Sequence, residues 1–196
     1  MMDSIIERRS IRKYKAQEIS IEQITKIIEA AIKAPSAKNR QPWKYLIYSD
    51  KAKKQLLDVM EHGLDEESEA HALLPKSAGG LADAYNTLRI MREAPVLIIV
   101  INSNGKSPFE DIEPDERITE ICDTLSLGAS IENMLLKATE IGLGTLWIAN
   151  TCFAYNDLIE YIGEEGQLVG AVSVGYPDET PSERPRHDIS EVIVWQ

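Results

Sequence analysis

The order of hydrophobic and polar positions along the chain predicts alternating helices and strands. Asp3 is placed to cap a short first helix. The run Ser20-Ile-Glu-Gln23 is a capping-box pattern, so it predicts the start of a second helix, which Pro35 ends. The apolar face of this second helix is marked at i, i+3, i+4 and i+7 by Ile24, Ile27, Ile28 and Ala31.

The next segments predict a strand, a helix and a less regular connection. Residues 44–49 are typical of a strand, and Asp50 caps a helix that we predict over residues 50–60. Residues 61–80 are acidic at first and then rich in small residues and glycine. We interpret residues 61–80 as a mobile loop or lid with some helix.

The second half of the chain predicts a buried strand, a long helix and three further strands. A helix to about Arg92 leads into residues 95–101, whose apolar, β-branched composition is typical of a buried strand. Residues 117–141 carry apolar side chains on more than one face, so we predict a central helix buried on most sides. The remaining predicted elements are a helix over 155–162 and strands over 144–149, 168–175 and 191–195. Because helices and strands alternate without strict βαβ regularity, the sequence predicts an α+β fold, a sheet packed between helices.

Length and composition indicate one soluble domain over residues 1–196, with 43% hydrophobic and 27% charged residues. No apolar run approaches the roughly 18 to 20 residues that a membrane helix needs. The first ten residues lack the apolar stretch of a signal peptide. Cys122 and Cys152 have no CxxC or CxxH spacing. We therefore expect a cytoplasmic protein with free thiols and no membrane association.

Charge is distributed unevenly along the chain, whose formal net charge is −11. Residues 1–54 hold 13 Lys and Arg against 6 Asp and Glu, and the remainder is strongly acidic. An acidic remainder repels a polyanion at long range, so a small, locally recognised anion fits this pattern better than nucleic acid. An anion- or nucleic-acid-binding module built on residues 8–54 is the alternative.

The densest positive cluster is the run RRSIRKY at residues 8–14. Arg8, Arg9 and Arg12 offer guanidinium donors and Ser10 a hydroxyl, a combination that suits a phosphate because guanidinium binds it bidentately. The alternative is a solvated basic face near a helix end.

Two other stretches carry polar or basic side chains. In residues 34–45, Ser36, Asn39 and Gln41 follow a helix end and are suited to reading a flat heterocycle. The alternative is a well-capped turn with a buried tryptophan. In residues 175–186, Arg184 and Arg186 are two apart, so in an extended chain their side chains point the same way; a plain surface tail is the alternative.

Two further patterns predict no site. Gly142 and Gly144 lack the third glycine of a dinucleotide fingerprint, so a helix C-cap followed by a strand is the simpler interpretation. His62, His71 and His187 are far apart in the sequence and lack carboxylates or cysteines at ligand spacing, so we predict no metal site.

Taken in order, these stretches resemble the nitroreductase family of FMN-dependent oxidoreductases. The motifs that carry the resemblance are R-R-S-I-R at 8–12, A-P-S-x-x-N-x-Q-P-W at 34–43, G-L-G-T-x-W-I at 142–148, and G-Y-P-x-E-x-P with R-P-R at 175–186. The resemblance implies a central, mostly antiparallel sheet flanked by helices. It also implies an intertwined homodimer with FMN at each of two subunit interfaces.

The resemblance assigns roles to residues by matching position. The implied contacts to the phosphate and ribityl end are Arg8, Arg9, Ser10, Arg184 and Arg186, and the implied contact to the pyrimidine edge is Arg12. The other subunit's flavin would be lined by Pro35, Ser36, Ala37, Asn39 and Gln41. The ring near N5 would be contacted by Leu146, Trp147 and Ile148. Asn86 falls where the family often has a flavin-contacting asparagine. Where some relatives have Glu-Gly near N5, this chain has Ala149-Asn150.

The resemblance also implies the reaction. A hydride passes from NADH or NADPH to flavin N5 and then to a small oxidant, such as a nitroaromatic, a quinone or a flavin, by a ping-pong mechanism. No protein acid or base is obligatory, so we predict no catalytic side chain. The alternative keeps the fold and the flavin but has a specialised flavin-handling activity or another small-molecule reductase or dehydrogenase activity.

Overall fold

The structure, a computed structural model, describes residues 3–196. Its helices are α1 Ser4–Glu7, α2 Ile21–Ala31, α3 Asp50–Ala70, α4 Leu81–Glu93, α5 Pro114–Glu140, α6 Tyr155–Ile162 and α7 Ile189–Val192. Its strands are β1 Trp43–Ser49, β2 Val96–Asn102, β3 Gly144–Ile148 and β4 Gln167–Gly175. Short 3-10 helices cover Ala37–Asn39, Pro75–Gly80 and Asn150–Ala154. None of the helices in this part of the chain combines the length and apolarity needed to cross a bilayer.

The four strands form one antiparallel sheet in the order β1-β2-β4-β3. Leu97, Ile99 and Ile101 of β2 join a core cluster with α3, α4 and α6 on one face. The alternate residues Ile98 and Val100 join a second cluster with α2 and α5 on the other face. Because helices cover both faces, β2 is buried throughout and reads as an unbroken apolar run. The predicted α+β class, with an antiparallel sheet flanked by helices, is confirmed.

The predicted caps at Asp3 and Ser20 are confirmed, but the one at Asp50 is wrong, because Asp50 is the first residue of α3 and follows Ser49 at the N-cap position. The Asp3 carboxylate accepts a hydrogen bond from the Ile5 amide at 3.2 Å. In the capping box, the Ser20 hydroxyl accepts from the Gln23 amide at 3.2 Å, and the Gln23 side chain accepts from the Ser20 amide at 3.1 Å. The helix predicted over 155–162 has those bounds, and both cysteines are free.

The first half of the predicted loop at residues 61–80 is helical, because α3 continues to Ala70. Met60, Leu64 and Glu67 continue its buried face at i, i+4 and i+7. The sequence does not show this face clearly, because a charged residue, Glu67, occupies one of its buried positions. Its carboxylate turns inward at the helix end and accepts the amide N–H groups of Leu73 and Leu74, each at 2.8 Å.

Helix α5 also differs from its prediction. It begins at Pro114, three residues before the predicted start, where proline is tolerated because its missing N–H has no helical partner. Its second half is buried, but Ile118 and Leu125 are 62% and 70% exposed. The prediction of burial on most sides is therefore wrong for the first half, where no element of the described chain covers this face.

The strand predicted over 191–195 is wrong for the single chain. Asp188 caps the one-turn helix α7 through the Ser190 amide at 2.9 Å, and the residues after it form no strand. Val194 and Trp195 are 82% and 90% exposed. Apolar composition favours a strand, but a strand forms only where a neighbouring backbone satisfies its hydrogen bonds.

Candidate functional site

The N-terminal basic segment lies along the β3 edge of the sheet. After α1 ends, Ser10 forms a parallel bridge with Thr145 of β3, and the Ile11 amide donates to the Thr145 carbonyl at 2.9 Å. Ile11 is buried, and an added Cβ at Gly144 would lie 2.6 Å from its side chain. A glycine at the start of β3 therefore allows the basic segment to dock closely.

The segment that follows β4 pairs with the same N-terminal stretch. The Lys15 amide donates to the Tyr176 carbonyl, and the Asp178 amide to the Lys13 carbonyl, each at 2.9 Å. The Glu179 carboxylate accepts from the Arg12 amide. This pairing brings the C-terminal arginines to the N-terminal ones across more than 170 positions of sequence.

The two basic segments enclose a cavity of about 270 Å³, which we call the arginine cleft. Its lining residues are Arg8, Arg9, Ser10, Arg12, Pro181, Ser182, Glu183, Arg184 and Arg186. Five arginines and two serines thus surround one small volume. The predicted grouping of the two basic segments agrees with this geometry, and their binding role stays a prediction.

A second cavity of about 390 Å³ adjoins the arginine cleft and shares Arg8 and Ser10 with it. Its other lining residues are Glu132, Leu135, Thr145, Trp147 and Ala149. Of the three predicted ring contacts, only Trp147 projects here, because successive side chains of a strand point to opposite faces. Leu146 and Ile148 are buried in the core on the other face, so they can reach this cavity only through their main chain.

The charges in the arginine cleft are only partly matched. Arg8 Nε lies 3.2 Å from Glu132 Oε1, and Arg9 Nη2 lies 3.8 Å from Glu183 Oε2. Arg8 Nε is buried, yet no acceptor among the described residues is aligned with its N–H. Arg8 is thus held by an ion contact without a well-directed hydrogen bond from Nε, and guanidinium groups bind phosphate oxygens bidentately. The residues present therefore fit a phosphate group.

The glutamates of this site were missed in the sequence. Glu132 lies in the middle of α5, Glu183 lies in the tail, and Glu179 follows the last strand. Nothing in the sequence distinguishes them among 32 acidic residues, since their proximity to the arginines arises only from the fold.

The 34–43 loop lies outside both cavities, and its predicted flavin contacts do not line them. These contacts are Pro35, Ser36, Ala37, Asn39 and Gln41. The resemblance assigns these residues to the other subunit's flavin, so their separation from the arginine cleft of the same chain is expected.

Asn86 is likewise outside both cavities. It is exposed on α4, and its side chain accepts a hydrogen bond from Arg89 at 3.1 Å. The neighbouring Asn150 amide donates to Asp83 at 2.8 Å and so faces α4, whereas Ala149 lines the second cavity. A side-chain role for Asn150 at a bound flavin is not supported by this orientation.

The interpretation of the histidines needs one correction. His62 Nδ1 lies 3.2 Å from Asp157 Oδ1, and its Nε2 lies 3.8 Å from Glu66 Oε1. Glu66 is at helical i+4 spacing, and the packing of α3 against α6 supplies Asp157. Two carboxylates thus lie beside His62, so the statement that the histidines lack carboxylates at ligand spacing is wrong for His62, and the absence of a metal site stays a prediction.

Comparison with known proteins gives a consistent result. The sequence profile described as Nitroreductase family matches residues 5–176. A protein of Archaeoglobus fulgidus, provisionally named NADH dehydrogenase/NAD(P)H nitroreductase, is 29% identical over 178 residues, which are 88% of this chain and 83% of that protein.

Solved structures agree with this match. A BluB-like flavoprotein of Clostridium difficile 630 is 27% identical with a TM-score of 0.76, covering 99% of this chain and 97% of that one. A protein of Desulfovibrio desulfuricans, solved in complex with FMN, is 24% identical with a TM-score of 0.74, covering 98% and 94%.

Proposed function

Because the chain belongs to the nitroreductase family, we propose that it is an FMN-dependent oxidoreductase that uses NADH or NADPH. The observation that carries the proposal is the arginine cleft, where five arginines from both ends of the chain surround about 270 Å³. Bidentate guanidinium contacts suit a phosphate, and FMN has one. The FMN complex and the flavoprotein among the similar structures support the choice of cofactor.

The residues of the chain bind and orient the cofactor. Arg8, Arg9 and Ser10, with Arg184 and Arg186, hold its phosphate and ribityl end. The cavity beside Trp147 holds the part of the isoalloxazine ring nearest the ribityl chain. When bound, FMN supplies hydride transfer from the nicotinamide to a small oxidant such as a nitroaromatic, a quinone or a flavin.

Arg12 has a separate role in this proposal. Its Nη1 donates to the Ser10 carbonyl at 3.1 Å, which keeps the guanidinium beside the cleft, and within residues 3–196 the other N–H groups of the guanidinium make no hydrogen bond. A fixed cation at the pyrimidine edge offsets the negative charge that the cofactor gains on reduction. No side chain is proposed to move a proton, so the contribution of the protein is positioning and electrostatics.

We also propose that the protein is a homodimer in which the C-terminal tail of each copy covers the other. In residues 3–196, the sheet order leaves β1 without a neighbour on one edge, and Ile47 on β1 is 46% exposed. Beside β1 lies a groove of about 960 Å³ whose lining includes isoleucines of α2, the cations Lys53, Lys54 and Arg92, and the acidic residues Glu18, Glu29 and Asp50.

The tail is complementary to the apolar part of this groove. Its apolar residues Ile193, Val194 and Trp195 are exposed and match the isoleucines that line it. Pairing of the tail with the free edge of β1 in a second copy would satisfy both backbones, and would also restore the strand predicted over 191–195. We expect Val194→Asp to shift the protein from dimer to monomer in light scattering; an unchanged mass contradicts this arrangement.

The cofactor and the reaction are tested on the purified protein. We expect bound FMN near one per subunit, loss of its visible absorbance on adding NADH or NADPH, and its return with a nitroaromatic. Arg184→Ala removes one guanidinium of the cleft that makes no ion pair among the described residues, so its direct effect is confined to the cleft. We expect this variant to bind FMN more weakly than wild type. A protein that neither retains micromolar FMN nor melts at higher temperature with it overturns the proposal.

A specialised flavin-handling activity is the second candidate, and the BluB-like relative favours it. The two candidates differ in how the reduced protein is reoxidised. Rapid NAD(P)H oxidation with a nitroaromatic acceptor supports the first, whereas reduction without such turnover supports the second. The cytoplasmic location and the single domain over residues 1–196 stay predictions, with Met1 and Met2 outside the described residues.

A further inference from the structure

An ion pair between a buried carboxylate and a partly exposed arginine ties the 34–43 loop to the centre of the fold. Arg40 Nε donates to Asp123 Oδ1 at 2.8 Å, and Arg40 Nη2 lies 2.7 Å from the same oxygen. The Asp123 side chain, on α5, is only 1% exposed. Its second oxygen accepts from the Asn104 side chain at 3.2 Å. One carboxylate therefore joins the loop before β1, the helix α5 and the loop after β2.

The loop that this pair holds has an uncommon backbone conformation. Lys38, Asn39 and Gln41 have φ values of 53°, 54° and 49°, in the left-handed region that non-glycine residues avoid. Only five non-glycine residues of the described chain have positive φ, and three of them lie here. Such conformations persist where the surroundings over-determine them, and they concentrate at functional sites.

Further hydrogen bonds complete the restraint. The Ala37 amide donates to the Ser126 hydroxyl on α5 at 3.2 Å, and the Gln41 amide donates to the Ser36 hydroxyl at 3.1 Å. Arg40 points inward to Asp123, and its neighbours Asn39 and Gln41 are exposed. The inward contacts thus fix which side chains of the loop face outward.

We propose that Asp123 is a positioning residue for the cofactor: through Arg40 it holds the loop in the conformation that presents Asn39 and Gln41 to the flavin. This inference rests on the proposed function, in which the loop lines the flavin. A buried ion pair is weak evidence for stability alone, because apolar residues of similar volume often serve as well. Its value here is in selecting one loop conformation, which lowers the cost of ordering the loop when ligand binds.

The test uses Asp123→Asn, which keeps the shape and removes the charge. We expect FMN affinity to fall about tenfold relative to wild type. In the apoprotein, we expect trypsin to cleave after Lys38 and Arg40 several times faster, because the loop leaves its protected conformation. The second readout needs no cofactor.

Glu67→Gln is the matched control. Glu67 is also a buried carboxylate, 3% exposed, and it also holds a loop, but that loop is residues 71–74. We expect it to lower the melting temperature and to leave both FMN affinity and cleavage after Lys38 and Arg40 as in wild type. An equal loss of FMN affinity in this control, or FMN affinity within twofold of wild type in Asp123→Asn, overturns the inference.

Two further outcomes are separated by design. If the wild-type protein binds no FMN, the proposed function fails, while unchanged tryptic cleavage in Asp123→Asn still overturns the positioning role on its own. If Asp123→Asn does not fold, Arg40→Lys replaces it, because lysine keeps the charge and loses the planar two-nitrogen contact. We then expect the same two effects at smaller size, and their absence overturns the inference.

Discussion

The arginine cleft and the 34–43 loop use the same kind of ion pair in opposite ways. In the cleft, Arg8 and Arg9 face glutamates whose side chains are 45% and 69% exposed, at 3.2 and 3.8 Å. In the loop, Arg40 faces a carboxylate that is 1% exposed, at 2.7 Å. Exposed pairs contribute about 0–1 kcal/mol and exchange partners readily, whereas a buried pair is costly to break. The arginines of the cleft can therefore exchange their glutamates for an anionic ligand, whereas Arg40 stays bound to Asp123 and stabilises the loop.

The largest expected change in the free energy of unfolding comes from removing Asp123, the buried carboxylate that binds Arg40. Asp123→Ala leaves Arg40 without its carboxylate, and because Arg40 is 25% exposed, we expect the free energy of unfolding to fall by about 3 kcal/mol, the low end of the range for a buried pair. Urea denaturation followed by circular dichroism measures it. A loss below about 1 kcal/mol would place this pair in the same class as the exposed pairs of the cleft.

The next effect concerns ligand binding in the cleft. Arg8→Ala removes a charge-assisted contact to phosphate of about 1.5–3 kcal/mol, so we expect FMN affinity to fall about ten- to a hundredfold while the apoprotein keeps its stability. Quenching of flavin fluorescence on titration gives the affinity. Arg117→Ala is the control, because Arg117 is an exposed arginine that pairs with Glu120 within α5. Unchanged affinity in Arg8→Ala would show that the cluster binds something else.

Glu67 extends the comparison to a buried carboxylate without a cation. Burial alone raises its pKa, but the amides of Leu73, Leu74 and Ala72 together outweigh burial, and the pKa lies below the usual 4.5. Its contribution is therefore present above the pKa of the unfolded chain and is lost as pH falls through the lower folded value.

For this reason, we expect Glu67→Gln to lower the free energy of unfolding by about 1.5–3 kcal/mol at neutral pH. The difference from wild type should shrink as pH falls below about 4.5. Denaturation series at several pH values measure it, and a difference that grows with acidity would contradict the sign.

The smallest effect is expected for the exposed partner in the cleft. Glu132→Gln removes a half-exposed carboxylate that competes for Arg8, so the free energy of unfolding should change by less than about 1 kcal/mol. FMN affinity should rise about two- to fivefold at low salt, and less at high salt. Weaker binding instead would identify Glu132 as a contributor to the ligand site rather than a competitor.

Periodic segments were predictable from sequence, and elements that depend on distant partners were not. The capping box at Ser20 and the apolar, β-branched run of β2 are local, so their prediction holds. Helix α3 was predicted too short because its buried face continues through Glu67, whose inward position depends on loop amides that follow it. The tail was predicted as a strand from composition, but in a single chain it has no backbone to pair with.

The sequence by itself determined which chemical groups are present and in what order: two arginine clusters at the ends, a polar loop after the second helix, and the family to which these motifs belong. Only the tertiary structure decided which groups meet. Pairing of the chain ends beside β3 forms the arginine cleft, and the packing of α5 places Glu132 at Arg8 and Asp123 at Arg40. These contacts join residues more than 80 positions apart, and their strength follows from burial, which local sequence pattern does not specify.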